Sequence, residues 1–545
     1  MRRNILKLAL IAGVAANIVA PVASANFLTS PSLPAWLTHS RSGNAMLFDS
    51  AGKLTYAPNN LLTYSNTFSH AVWSKGSGTI TNANAVSDPF GGTQASTYTA
   101  GTANDQLFLA IKTATNLNSY ITTFWVRRRS GSGTISMYTP AGDSPTPIAV
   151  DDTWRQFYRV GAVNGEFVYP NLGVATSGDQ IDIYASTVSQ VTYETVPRAA
   201  DQVITTSAAY YGPRFDYDPA TLAAKGLLIE EARTNLISYS NAFTSGSWAD
   251  SGVAPVQTGA TDPTGGANSW TLTASGAGAS LYFPYTTVNG STYTNSIWMR
   301  RRAGTGTITL CYPNNTNLDV TSSVTSSWTR VNATSSVAST TGFLLVQLGT
   351  AGDKIDVFGA QAELASFATS YIPTGASSVT RAADNVVAAS LAAIGGFDAT
   401  KGALAVEVGE LPTKDNLGVI AQFNTTNYYE TLGFSKTDIT NNTAGNYFVA
   451  GSYDGTATAV ALANTANDGG KHSMVVTWGG STIRASLDGG GVQVGTRRSI
   501  APTKFNLGSR DAIYYINGHV RRLAFWRETL PDATLQSKSV VGAPF

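Results

Sequence analysis

Trp125-Val-Arg-Arg-Arg-Ser-Gly-Ser-Gly-Thr-Ile135 returns later in the chain as Trp298-Met-Arg-Arg-Arg-Ala-Gly-Thr-Gly-Thr-Ile308. Each stretch leaves an apolar segment, crosses an arginine triplet, turns at glycine and restarts on Thr-Ile. That is the signature of two antiparallel strands joined at a Gly turn. Working outward, further pairs follow in the same order. Asn60-Leu-Leu-Thr-Tyr-Ser-Asn-Thr-Phe68 matches Asn235-Leu-Ile-Ser-Tyr-Ser-Asn-Ala-Phe243. Ser87-Asp-Pro-Phe-Gly-Gly92 matches Thr261-Asp-Pro-Thr-Gly-Gly266, and Trp154-Arg matches Trp328-Thr-Arg. Gly178-Asp-Gln-Ile-Asp-Ile183 matches Gly352-Asp-Lys-Ile-Asp-Val357, and Arg198-Ala-Ala-Asp201 matches Arg381-Ala-Ala-Asp384. The last pair is 183 residues apart where its predecessor is 174, so the second copy gained nine residues near Ser366 to Pro373. Ordered matches at nearly constant spacing identify a duplicated module.

The predicted fold is all-β: two tandem jelly-roll sandwiches, then a third sandwich. Short β-rich runs between Gly, Asn, Asp and Pro clusters carry this reading. The expected boundaries are 26–57 for an N-terminal lead-in, 58–207 for the first copy, 208–232 for a linker, 233–390 for the second copy and 397–545 for the last domain. In the last domain Lys471 to Trp478 and Ser481 to Leu487 read as a hairpin about Gly479-Gly480, and Leu530 to Ser537 as a short helix after Pro531.

Composition narrows the function. Lys+Arg 35 against Asp+Glu 34 leaves a net charge of +1, too little basic excess to hold a nucleic-acid backbone. Aromatic residues at 10% argue against disorder. One cysteine, Cys311, excludes an internal disulfide and a multi-thiolate zinc site, and the four histidines are scattered. At the N-terminus Arg2, Arg3 and Lys7 precede the apolar run Leu8 to Val19 and the Ala23-Ser24-Ala25 pattern. Residues 1–25 therefore read as a secretory signal peptide or an apolar anchor.

Residues 397–545 resemble the concanavalin A-like, or laminin-G-like, sandwich, with His472 before the Val-Val-Thr-Trp strand, Asp488-Gly489 at a turn, and Gly518-His-Val-Arg-Arg. A wider resemblance rests on Pro213-Arg-Phe-Asp-Tyr-Asp-Pro219, Gly226-Leu-Leu-Ile-Glu-Glu-Ala-Arg-Thr-Asn-Leu236, Phe367-Ala-Thr-Ser-Tyr-Ile-Pro373 and Thr380-Arg-Ala-Ala-Asp384. Together these resemble the head-spike and tail-fibre modules of tailed bacteriophages and prophages. The resemblance implies a non-catalytic virion surface protein that adheres to host or environmental glycans, works as a homotrimer and contacts other virion proteins. A cleavable secretory signal has no obvious use in a virion assembled in the cytoplasm, so a secreted polysaccharide-binding adhesin is the alternative.

Candidate site residues follow from sugar chemistry. Sugars stack apolar C–H faces on aromatic rings, and Tyr and Trp suit surfaces with a dry and a wet side. Trp73 and Trp248, near matching positions, and Tyr138 and Tyr312, beside turns, are the aromatic candidates. Trp125, Trp154, Trp298 and Trp328 sit in strand patterns and read as core. Arg127, Arg128, Arg300 and Arg301 read either as a clamp for anionic sugars or as partners of nearby acids. Asp179 with Asp182, and Asp353 with Asp356, are candidate ligands of a structural Ca²⁺, provided a turn brings each pair together. A polysaccharide-degrading enzyme is the least favoured reading. Glycoside hydrolysis needs two carboxyls flanking one bond, and neither Glu407 and Glu410 nor Glu230 and Glu231 present such a pair.

Overall fold

The computed structural model describes residues 20–112, 118–192, 194–395, 398–412, 418–424, 430–436, 447–454, 458–466, 468–498, 502–510 and 514–545. The apolar run Leu8 to Val19 lies outside them. No helix among the described residues is long and apolar enough to cross a membrane.

Strand alternation builds the first repeat. In Asn118–Ser130, Phe124 and Val126 are buried and face the core, while Trp125 and Arg127 are only partly covered on the opposite face. This strand lies in a five-stranded sheet, in the order Arg155–Val163, Asn118–Ser130, Gln180–Val191, Ala95–Thr99, Thr79–Val86. A four-stranded sheet packs across it, in the order Pro145–Ile148, Ile135–Tyr138, Asn171–Val174, Asp105–Phe108. Phe68, Trp73, Tyr98, Phe124, Leu172 and Ile183 fill the space between. The second repeat has the same plan. Its long strands Thr292–Ala303 and Lys354–Glu363 pair in one five-stranded sheet, and Ala279–Thr286 and Thr341–Leu348 pair in the other. Burying two apolar faces against each other is what makes each repeat a sandwich.

The third sandwich corrects the expected domain boundaries. Its seven-stranded sheet begins with Thr38–Ser40, paired to Asn385–Ala388. Its eight-stranded sheet includes Arg214–Tyr217 and Ala224–Ile229. The last strand, Gly518–Trp526, pairs along one edge with Leu227 to Ile229 and then with Ala23–Asn26. Phe27, Leu37, Leu227 and Ile229 enter the same core as Trp478 and Phe525. The segments 26–57 and 208–232 are thus not merely lead-in and linker. They supply strands of the third sandwich, and each repeat is an insertion between two of those strands. The helix Asp532–Lys538 follows Pro531 and buries Leu535 beside Trp526.

Candidate functional site

The strings that carried the fibre-module resemblance converge on one buried ionic cluster. The Arg214 guanidinium donates to Glu230 Oε2 at 2.6 Å, to Ser370 Oγ at 2.7 Å and to Asp384 Oδ2. Arg41 and His39, from the N-terminal segment, reach Asp384 Oδ1 at 2.7 and 3.1 Å. Arg381 stands 3.3 Å from Glu230, whose Oε1 also accepts the Ser370 N–H at 2.8 Å. Burial alone would raise the Glu230 carboxyl, but the Arg381 and Arg214 charges hold it at about 2. Asp384 is likewise held well below the usual carboxylate range, its burial outweighed by Arg214, His39 and Arg41. The ionisable side chains of the cluster are almost wholly excluded from solvent. The motif is a joint that ties the second repeat to the third sandwich. A reduced version recurs in the first repeat, where Arg198 holds Asp201 at 2.9 Å and Asp201 accepts the Asn59 N–H at 2.8 Å.

The arginine triplets and the paired aspartates turn out to be each other's partners. Arg127 Nε and Arg129 Nε grip the two oxygens of Asp182 at 2.9 and 2.7 Å. Arg300 and Arg302 do the same to Asp356 at 2.8 and 3.4 Å. Thr97 and Thr271 hydroxyls add a donor to each buried carboxylate. Arg128 and Arg301 turn the other way, donating to the Gly133 and Gly306 carbonyls at 2.8 and 2.7 Å and lying beside Asp179 and Asp353. For the arginines this is the acid-partner reading, and for the aspartates it is a correction. Arg127, Arg128, Arg300 and Arg301 are committed partners rather than a free anion clamp. Asp179, Asp182, Asp353 and Asp356 are held by arginine and by turn N–H groups rather than by Ca²⁺. Among the described residues no group of three or more His, Cys, Asp or Glu side chains is placed to hold a metal ion.

Trp298 is buried as expected, 4% exposed, but four other tryptophans invert the expectation. Trp73 and Trp248 are core residues, 1% and 9% exposed, Trp73 packed at a tilt on Phe68 and Trp248 edge to face on Phe243. Each indole N–H donates to a tyrosine carbonyl, Tyr64 O at 3.0 Å and Tyr239 O at 3.1 Å. Neither ring is available for stacking. Trp125 and Trp154, which read as core, lie instead on the outer face of the five-stranded sheet, where Arg127 sits over the Trp154 ring. Period-2 alternation puts one residue of each pair outside, and Phe124 has taken the inner side.

Of the tyrosines, the structure separates Tyr138 from Tyr312. Tyr138 ends the strand Ile135–Tyr138 and is half-buried against the backbone at Gly173, where a Cβ would come within 3.1 Å of its ring. A side chain there would require the ring to give by a few tenths of an ångström. Beside it, Asn171 Nδ2 donates to Gln106 Oε1 at 2.9 Å, while the buried Asn171 Oδ1 meets no donor. Phe108 pairs with Asn171 across the sheet and touches Tyr169, which in turn meets Phe167. The part-exposed rings of Tyr138 and Phe108 and the part-exposed Gln106 amide therefore meet on the outer face of the four-stranded sheet. The second repeat has no counterpart. Cys311 occupies the position of Tyr138, Leu345 and Gln347 those of Asn171 and Gly173, and Tyr312 packs toward the core. Gln106, Phe108, Asn171 and Tyr169 were not singled out in the sequence. The signal for Gln106, Phe108 and Asn171 was their alternation with Leu107, Leu172 and Val174, which enter the core.

No protein-family model and no curated protein matches the chain. Among solved structures it is similar to the CBM22-1-CBM22-2 tandem domain of Paenibacillus barcinonensis Xyn10C, at 12% identity and a TM-score of 0.20, over 57% of this chain and 98% of that one. It is similar to domains LG4-5 of the mouse laminin alpha1 chain at 9% identity and a TM-score of 0.20, over 80% and 92%. It is also similar to the enzymatically active domain of bacteriophage CBA120 tailspike protein 4 at 15% identity and a TM-score of 0.20, over 24% and 21%. Likenesses this distant assign no role to the chain.

Proposed function

We propose that this protein is a non-catalytic adhesin that holds glycans on the four-stranded sheet of its first repeat. The observation that carries the reading is Tyr138 packed on Gly173 beside the Gln106–Asn171 amide pair. A ring offers a surface for the C–H face of a sugar, and the part-exposed Gln106 amide beside it suits a hydroxyl. Each such contact is weak, so useful adhesion relies on several copies acting together. The fibre-module strings favour placement on a virion surface, as a head spike or tail fibre. The Ala23-Ser24-Ala25 pattern favours a secreted adhesin instead, although the strand Ala23–Asn26 is part of the third sandwich and cleavage after Ala25 would leave only its last residue.

Affinity electrophoresis through gels containing surface polysaccharides of candidate host bacteria tests the binding. Wild-type protein is expected to be retarded, and Tyr138→Ala to migrate freely with an unchanged melting temperature. Equal retardation of both would overturn the site, and release of reducing sugar would overturn the non-catalytic reading. Peptide mass spectrometry of purified particles and cell-free supernatant separates the two locations.

A further inference from the structure

The outward positions of the first repeat's four-stranded sheet form two rows that cross the strands. Pro147, Ser136, Gly173 and Gln106 stand in register in one row. Pro145, Tyr138, Asn171 and Phe108 form the next, because Met137 pairs with Leu172 and so sets Tyr138 beside Asn171. In that second row two part-exposed rings, Tyr138 and Phe108, flank the buried Asn171. Their strands are two spacings apart, about 9.5 Å at the backbone. The hydroxyl end of the Tyr138 ring lies over Gly173, next to Gln106 in the first row. Gln106 Oε1 is taken by Asn171 Nδ2, which leaves the part-exposed Gln106 amide N–H groups as donors between the two rings.

None of the positions in these two rows is a Lys, Arg, Asp or Glu. The cations that border the sheet are committed elsewhere. Lys75 Nζ donates to the His70 and Trp73 carbonyls at 3.3 and 2.8 Å, and Arg159 to the Tyr158 and Thr146 carbonyls at 3.1 and 3.4 Å. Lys112 faces Glu166 at 3.8 Å. The arginine triplet belongs to the other sheet and holds Asp179 and Asp182. A polyanion laid on this face would lose hydration from its charges and meet no cation in return. An uncharged sugar chain has what the face can use: C–H faces for the rings and a hydroxyl oxygen for the amide. The two rings are too far apart for one sugar to touch both, and they suit neighbouring sugars of an extended chain that runs along the row.

We infer, resting on the reading of this face as the glycan site, that its ligand is an uncharged polysaccharide laid in extended form across the strands from Tyr138 to Phe108. Equilibrium binding of the full chain to immobilised mixed-linkage β-glucan and galactomannan, and to polygalacturonate and alginate, tests it. Each is measured at about 50 mM and about 1 M NaCl, the latter cutting the screening length to about 3 Å. Wild type is expected to bind a neutral polymer with an affinity that changes less than about twofold with salt. Phe108→Ala and Tyr138→Ala are each expected to weaken that binding about fivefold, with unchanged melting temperatures. Competition by fragments of the bound polymer is expected to improve about tenfold from one sugar to three, as the second ring is reached. Binding to the polyanions alone, weakened by salt and lost in Tyr138→Ala, would overturn the inference and leave the face a glycan site. A single sugar that competes as well as three would overturn the extended arrangement. Binding that is unchanged in Tyr138→Ala, or no binding to any of the polymers, would overturn the glycan reading and this inference with it.

Discussion

Replacing Asp384 by alanine isolates the energetics of the joint between the second repeat and the third sandwich. Among the described residues Asp384 is the only carboxylate bonded to the buried Arg41 guanidinium, whose other partners are the Gly43 and Gly212 carbonyls at 2.8 and 3.0 Å. Arg214 loses one acid but keeps Glu230. The cost is therefore reckoned for one stranded charge, not two. Burial lowers Arg41 to about 10, so it remains charged at neutral pH when its partner goes. Breaking a buried pair from one side costs about 3–5 kcal/mol. For a domain the size of the third sandwich each kcal/mol moves the melting temperature by about 2–4 °C, which gives a fall of roughly 10 °C. Differential scanning calorimetry should show that fall in one transition, with those of the two repeats in place. Hydrogen exchange should rise in Asn385–Ala388 and Ala224–Ile229. Asp384→Asn keeps an acceptor for the Glu230 N–H but not the charge, and should fall nearly as far. Shifts under about 2 °C in both variants would refute the argument, and would mean that the joint rests on the apolar core alone.

Other expectations follow from the same geometry. Trp73→Ala and Trp248→Ala should each cost about 3–5 kcal/mol in urea unfolding of their own repeat, because both leave a core cavity. His472, buried between Asp488 at 2.7 Å and Asp468 at 3.1 Å, is raised above its ordinary 6.5 because those carboxylates outweigh its burial. Its contribution is full below the unfolded value and lost as pH rises through the folded one. The urea midpoint of the third sandwich should therefore decline as pH rises above the ordinary histidine value of 6.5, and His472→Gln should flatten that decline. Glu230, depressed to about 2, stabilises above its unfolded value and is lost only as pH falls through about 2, so acid titration followed by exchange at Ala224–Ile229 should leave the joint closed until then.

The duplication and the all-β fold were legible because both rest on period and order, which a sequence displays directly. The third sandwich was only partly so. Thr38–Ser40 is three residues long, too short to show alternation, and its partner Asn385–Ala388 lies beyond both repeats. The tryptophans misled for a local reason. Trp73 sits in an irregular segment with no period, and what draws it inward is the Tyr64 carbonyl and the rings of Phe68 and Phe124. The pairing of arginine triplet with aspartate was open to the reading of the residues, since both recur in both copies. The Tyr138 surface was only half visible, since the Gly173 that supports the ring belongs to another strand.

The pairing of Ala23–Asn26 with Arg522–Phe525 fixes an order of events during synthesis. Each repeat has all its strands once its own segment has been translated. The third sandwich lacks its Gly518–Trp526 strand until residue 526 has been translated, and that strand lies between Lys401–Gly409 on one side and Ala224–Ile229 with Ala23–Asn26 on the other. Its contact order is accordingly far higher than that of either repeat, and closure is its slow step. Phe27, Leu227 and Ile229 wait unburied through that interval, so a nascent chain stalled before its last strand presents two finished sandwiches strung on an adhesive, unfinished third.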